Sequence, residues 1–120
     1  MKKRLNSFGY AFRGICTLIK TQHNAWIHLF ATVGVIFFGF YFAVSRAEWI
    51  LLILAIIIVW LAEALNTAIE FLSDSITEDP HPLIGKAKDV AAGGVLLASI
   101  GAAIIGIIVF WPYLIQILEK

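Results

Sequence analysis

A single cysteine, Cys16, occurs in the chain, so no intrachain disulfide framework holds the fold. Cys16 reads as a small apolar residue within a helix rather than as a reactive thiol. Charge is scarce as well. Charged residues make up 14% of the 120 positions and hydrophobic ones 61%, with a mean hydropathy of +0.91. That balance excludes a soluble domain built around a core and points to a membrane protein. A net charge of +1 provides no basic field for nucleic acid, and no nucleic-acid partner is expected. Internal repeats and low-complexity tracts are also missing. The histidines have no third soft ligand at a suitable spacing, which argues against a His-based metal site. His23 and His28 therefore read as hydrogen-bonded residues at the membrane interface.

What the chain does have is length in apolar runs. Three stretches are long enough to span a bilayer, at about residues 25–44, 49–72 and 91–117. The first is longer than a signal-peptide core and lacks a convincing cleavage site, so it reads as a span. Before it, Leu5, Phe8, Phe12, Ile15 and Ile19 repeat at helical spacing, opposite Asn6, Tyr10, Arg13, Thr17 and Lys20. This predicts an amphipathic helix over about 3–22, lying in the interface with basic residues on its polar face. Seven basic residues (Lys2, Lys3, Arg4, Arg13, Lys20, Lys86, Lys88) fall on one side of the spans and two (Arg46, Lys120) on the other. The excess places the N-terminus and the second loop in the cytoplasm. The turn Ser45-Arg46-Ala47-Glu48 is too short to carry a domain, so residues 1–120 form one integral-membrane unit. Pro80 and Pro82 end the second span, and Ser75–Asp89 reads as a cytoplasmic loop leading into the third.

The second span contains the most informative pattern. Its apolar run continues in helical register into Glu63, Asn66, Glu70 and Asp74, which share one face at about 100° per residue. Acids at membrane depth are costly to bury, and their default reading is functional. Carboxylates and an amide in a row can hold a divalent cation through oxygen, or supply a general base. Shielding Glu63 and Glu70 from lipid is hard for three helices alone, so a homo-oligomer is expected. Gly94, Ala98, Ala102 and Gly106 form a small-residue stripe suited to close helix packing. Lys86 and Lys88 have two readings on spacing alone. They are cytoplasmic charge, or they face phosphate across a cleft.

The run Glu63-Ala64-Leu65-Asn66-Thr67-Ala68-Ile69-Glu70, followed by Gly85-Lys86-Ala87-Lys88-Asp89, resembles the prokaryotic diacylglycerol kinase family, which includes the small undecaprenol kinases. The resemblance covers nearly the whole chain. It implies an all-α membrane protein with a surface helix and three transmembrane helices, assembled as a homotrimer in the bacterial cytoplasmic membrane with active sites shared between subunits. It further implies phosphorylation of a membrane lipid alcohol, with ATP as donor and Mg2+ as cofactor. No Walker motif or protein-kinase signature is present, as the resemblance requires. Carried over by motif, Glu63 is the expected general base. Asn66 and Glu70 belong to the nucleotide and metal shell, Lys88 contacts phosphate with Asp89 beside it, and Tyr10 contacts adenine. His81 and Gly85 match nucleotide-side positions. Gln22 stands where many members have a metal-binding glutamate. This departure leaves a neutral oxygen donor, with Asn24 as the nearest alternative.

Diacylglycerol, giving phosphatidic acid, is the first expected substrate. Undecaprenol is the alternative, because Asn66-Thr67-Ala68 and His81-Pro82-Leu83 stand closer to that branch. A small ion or proton-coupled transporter is a remote reading, with Glu63 and Glu70 as relay acids. Against it, both acids lie at one membrane face and the other spans offer no polar path. A purely structural scaffold leaves Glu63, Asn66 and Glu70 without a role.

Overall fold

The computed structural model describes residues 1–119, with Lys2 described by its backbone alone. Four helices follow in order: α1 (Lys2–Thr21), α2 (His23–Tyr41), α3 (Arg46–Ile76) and α4 (Pro82–Leu118). The last three are long and apolar enough to cross a membrane, and the protein is a multi-pass membrane protein. The chain extends over 59 × 42 × 21 Å.

One extended residue, Gln22 (φ −107°, ψ 119°), separates α1 from α2. Its N–H still bonds to the Leu18 carbonyl and its own carbonyl accepts from Ala25 N–H, so the chain turns a corner without stranding its backbone groups. The rest of the chain leaves the apolar face of α1 uncovered. Leu5, Phe8, Phe12 and Ile15 are all exposed, as a helix with its apolar side toward lipid requires. Among the described residues of α1, only Leu18 is buried.

The helix ends shift by a few residues from the sequence reading, α2 stopping at Tyr41 and α3 at Ile76, and two of the starts shift for local reasons. α3 runs from Arg46 rather than 49, because Ser45 and Glu48 close a capping box. Ser45 N–H donates to Glu48 Oε2 at 2.7 Å and Glu48 N–H donates to Ser45 Oγ at 3.3 Å, which satisfies free donors of the first turn. The larger correction concerns α4, which starts at Pro82 and not near 91. His81 is its N-cap, with Nδ1 accepting from Leu83 N–H at 3.2 Å. Pro82 sits where a missing N–H costs nothing. Prolines that stop one helix therefore start the next, and Gly85–Asp89 is helix rather than loop. The connection between α3 and α4 shrinks to residues 77–81.

The helix lengths position the site. At 1.5 Å per residue, α3 and α4 are about 46 and 55 Å long, against a hydrocarbon core of about 30 Å. The C-terminal end of α3 and the N-terminal end of α4 meet, joined by Asp74 and Lys88. At the opposite end, Val44, Leu52 and Val109 form a small core, with Phe42, Trp49, Phe110 and Tyr113 packed on it. Gly39 is required there, because a Cβ would stand 2.5 Å from Trp49 Cη2. The small-residue stripe of α4 does not act as one unit within the chain. Ala102 and Gly106 line a cleft shared with α2 and α3, Gly94 and Ala98 do not, and a Cβ on Gly94 or Gly106 would meet nothing within 4 Å.

Candidate active site

α3 places Glu63 and Asn66 inward, 1% and 7% exposed, in a chain that otherwise shows most of its side chains to lipid. Both line a cavity of about 330 Å³ together with Glu70, Asn24, Ile27 and His28. α4 closes the other side with Ala92, Val95, Leu96 and Ser99. The cavity is thus polar on α2 and α3 and mainly apolar on α4. Asn66 Nδ2 donates to Glu70 Oε1 at 3.3 Å. That bond fixes which atom of the amide faces the carboxylate, so Asn66 Oδ1 is left buried and without a protein partner. Glu63 lies about 10 Å deeper along the axis than Glu70, seven residues away.

The acid stripe divides in two. Asp74 does not join the Glu63 cavity. It is exposed, and its Oδ1 accepts from Lys88 Nζ at 3.1 Å, tying the end of α3 to the start of α4. Asp74 and Lys88 line a second cavity of about 480 Å³ at the α3–α4 turn, with Glu78, His81 and Gly85. An exposed pair of this kind is worth about 0–1 kcal/mol, so Lys88 can exchange Asp74 for a phosphate at little cost. The structure therefore brings Glu63, Asn66 and Glu70 together in one cavity, and His81, Gly85 and Lys88 in the other. Asp89 is exposed on α4 beside Lys88.

Tyr10 and Gln22 are not brought to the Glu63 cavity within one chain. Tyr10 is exposed on α1, with the Arg13 guanidinium 5.0 Å from its ring centre. Gln22 Nε2 donates to Thr21 Oγ1 at 3.3 Å. Asn24, named above only as the alternative to Gln22, lines the cavity itself.

The sequence reading missed His28. Read above only as a hydrogen-bonded interfacial residue, it has a side chain 14% exposed, with Nε2 3.3 Å from Glu63 Oε2.

Magnesium suits this donor set. The cavity offers hard oxygen donors, namely the Glu70 carboxylate and the unpartnered Asn66 Oδ1. No cluster of three or more His, Cys, Asp or Glu side chains able to hold a metal occurs among the described residues. Few protein ligands are what magnesium takes when phosphates and waters supply the rest.

A model of the family described as prokaryotic diacylglycerol kinase matches residues 9–110. The chain belongs to that family. The match spans α1 through most of α4 and contains both cavities, and the protein is a membrane lipid kinase. Among its relatives, the undecaprenol kinase of Bacillus subtilis is 39% identical over 114 residues, covering 95% of this chain and 93% of the relative. A diacylglycerol kinase of Synechocystis is 37% identical over 115 residues, covering 95% and 66%. The diacylglycerol kinase of Escherichia coli is 33% identical over 119 residues, covering 91% and 89%.

Proposed function

We propose that this kinase transfers the γ-phosphoryl group of ATP to the hydroxyl of undecaprenol, at the cytoplasmic face of the bacterial inner membrane. The observation that carries the reading is the buried carboxylate of Glu63, set below a cavity lined by Asn66 and Glu70. Phosphoryl transfer asks for positioning and charge neutralisation more than for covalent help. Glu63 lies deep enough to meet a hydroxyl presented from the bilayer and accepts its proton. The oxygen then bonds to the γ-phosphorus, the bond from that phosphorus to the β–γ bridging oxygen breaks, and ADP leaves. Glu70 and Asn66 would hold the magnesium, which would supply neutralisation of phosphate charge. Lys88 leaves Asp74 for phosphate, and His81, Gly85 and Asp89 border the nucleotide. Tyr10 and Gln22 lie away from the cavity of their own chain. A homotrimer would let such residues serve a neighbouring subunit's site, with Tyr10 against adenine and Gln22 toward the metal.

Undecaprenol is preferred because the relative with 39% identity carries that activity in its name, and the match covers 93% of its length. Diacylglycerol is the second reading, favoured by the names of the relatives at 37% and 33%. Purified trimer with radiolabelled ATP, magnesium and each lipid in mixed micelles separates them. The expected result is labelled undecaprenyl phosphate at a kcat/KM at least about tenfold above that for diacylglycerol, a difference of about 1.4 kcal/mol in transition-state binding. A preference for diacylglycerol selects the second reading, and no labelled lipid from folded trimer rejects both.

A further inference from the structure

His28 is held more firmly than a residue filling space. Its carbonyl accepts from Thr32 Oγ1 at 2.7 Å, and Thr32 Oγ1 in turn accepts from Trp60 Nε1 at 2.9 Å. Its ring meets the Trp60 indole edge-on, with centroids 6.3 Å apart at 68°. Trp60 and Glu63 are three residues apart on α3, and His28 and Thr32 four apart on α2, so two helix faces interlock through these four side chains. Within that frame His28 Nε2 comes to 3.3 Å from Glu63 Oε2. Both atoms are enclosed, and neither makes an aligned hydrogen bond among the described residues, so the 3.3 Å approach is the one polar contact open to each. A carboxylate oxygen removed from water needs a donor. The imidazole N–H is the group in reach. Bonds at catalytic sites are often long before substrate binds, and a small rotation of either side chain aligns this one.

We infer that His28 is a positioning residue for Glu63. Its Nε2–H occupies Oε2, fixes the plane of the carboxylate, and leaves Oε1 to meet the substrate hydroxyl. The inference rests on the reading of Glu63 as the base. His28 stands at a boundary, since it lines both the polar cavity and an apolar cavity of about 440 Å³ between α2, α3 and α4. It therefore orients the carboxylate at the level where a lipid hydroxyl meets its hydrocarbon tail. The other titratable side chain lining the polar cavity is Glu70, on the same face of α3, and α4 adds none.

Two substitutions separate positioning from packing. His28→Phe keeps a ring against Trp60 and removes the N–H. His28→Gln loses the ring and keeps an N–H donor of similar reach. Steady-state rates with Mg-ATP and lipid in micelles should show kcat lowered about 10–100-fold in His28→Phe, the scale of a misplaced catalytic group. The KM for Mg-ATP should stay within about twofold, because Asn66 and Glu70 are untouched. His28→Gln should recover kcat to within about fivefold of the parent. If ring packing is what matters, the order reverses, with His28→Phe active and His28→Gln impaired, and the inference is overturned. Thermal unfolding establishes that each variant is folded. Should His28→Phe not fold, His28→Met fills the space without an N–H and is held to the same criterion. Glu63→Gln is measured alongside. If it is inactive while His28→Phe keeps its full kcat, His28 fails and the base stands. If Glu63→Gln turns over normally, the base assignment fails and takes this inference with it.

Discussion

At one end of the bundle polar groups are matched, and toward the other, midway along α3, they are left open. Around Ser45, the capping box closes on itself, and Tyr113 O–H donates to Glu48 Oε2 at 2.7 Å, joining the start of α3 to the end of α4. Beside it lies the apolar core of Val44, Leu52 and Val109. Among the described residues, three enclosed polar atoms of the Glu63 cavity have no hydrogen-bond partner, His28 Nε2, Glu63 Oε2 and Asn66 Oδ1, and Thr67 Oγ1, which faces α1, has none either. An unmatched buried polar group costs about 1–3 kcal/mol. α3 satisfies its first turn and pairs Asp74 with Lys88 near its last, yet leaves the Glu63 stretch between them open, and the difference separates the part that holds the bundle from the part that meets ligand.

The strongest way to break the comparison is to exchange one acid in each region for its amide. Glu63→Gln removes a base while keeping shape. It should lower kcat by about a thousandfold or more, about 4 kcal/mol of transition-state stabilisation. Its unfolding midpoint should hold or rise, because a buried carboxylate is no longer paid for. Glu48→Gln should do the opposite. It weakens the cap and the Tyr113 bond, lowering the unfolding midpoint, and leaves kcat per folded molecule unchanged. Turnover and thermal unfolding of both variants, measured in the same detergent, decide the matter. Similar losses of kcat in the two would mean that the regions are not separate.

Gly39→Ala sharpens the matched end further. The added methyl would stand 2.5 Å from the Trp49 indole, so the ring or the α2–α3 hairpin must shift. Overpacking of this kind costs about 1–3 kcal/mol. The expected outcome is a lower unfolding midpoint with an unaltered KM for Mg-ATP and for lipid. A change in either KM would show that the far hairpin communicates with the site.

The same asymmetry explains which parts of the protein were readable from sequence. Three spans and a surface helix follow from apolar periodicity, since in lipid every backbone group must be satisfied within a helix. The stripe Glu63, Asn66 and Glu70 was readable because its 3- and 4-residue spacing reports a shared face directly. Two features were not. The start of α4 was misplaced because Pro80 and Pro82 are adjacent breakers, and only the capping geometry of His81 reveals that the second of them opens a helix. His28 escaped notice because its partner Glu63 is 35 residues away on another helix. The packing angle of α2 on α3 brings them together, and no local spacing encodes it. The split of Asp74 from the other acids has a similar origin. Lys88 claims it from α4, a contact that appears only once α4 is known to begin at Pro82.

The smallest expected effect concerns Gln22, at the corner between α1 and α2. In one chain its amide donates to Thr21 Oγ1 and does not line the cavity of Glu70. If a neighbouring subunit brings it to the metal, its neutral side chain leaves one negative charge fewer beside magnesium than a glutamate there would. Gln22→Glu should then lower the magnesium concentration for half-maximal activity, and Gln22→Ala should raise it. The shift should be about fivefold at most, on the order of 1 kcal/mol, because an interfacial charge is partly screened. The competing role is to end α1 and start α2, for which the extended backbone of Gln22 is sufficient. In that case both substitutions would move the unfolding midpoint and leave the magnesium dependence in place. A magnesium titration of the three proteins at fixed ATP distinguishes these roles. Coincident curves would remove Gln22 from the metal shell and leave Asn24, which already lines the cavity, as the α2 oxygen donor nearest to Asn66 and Glu70 in the site.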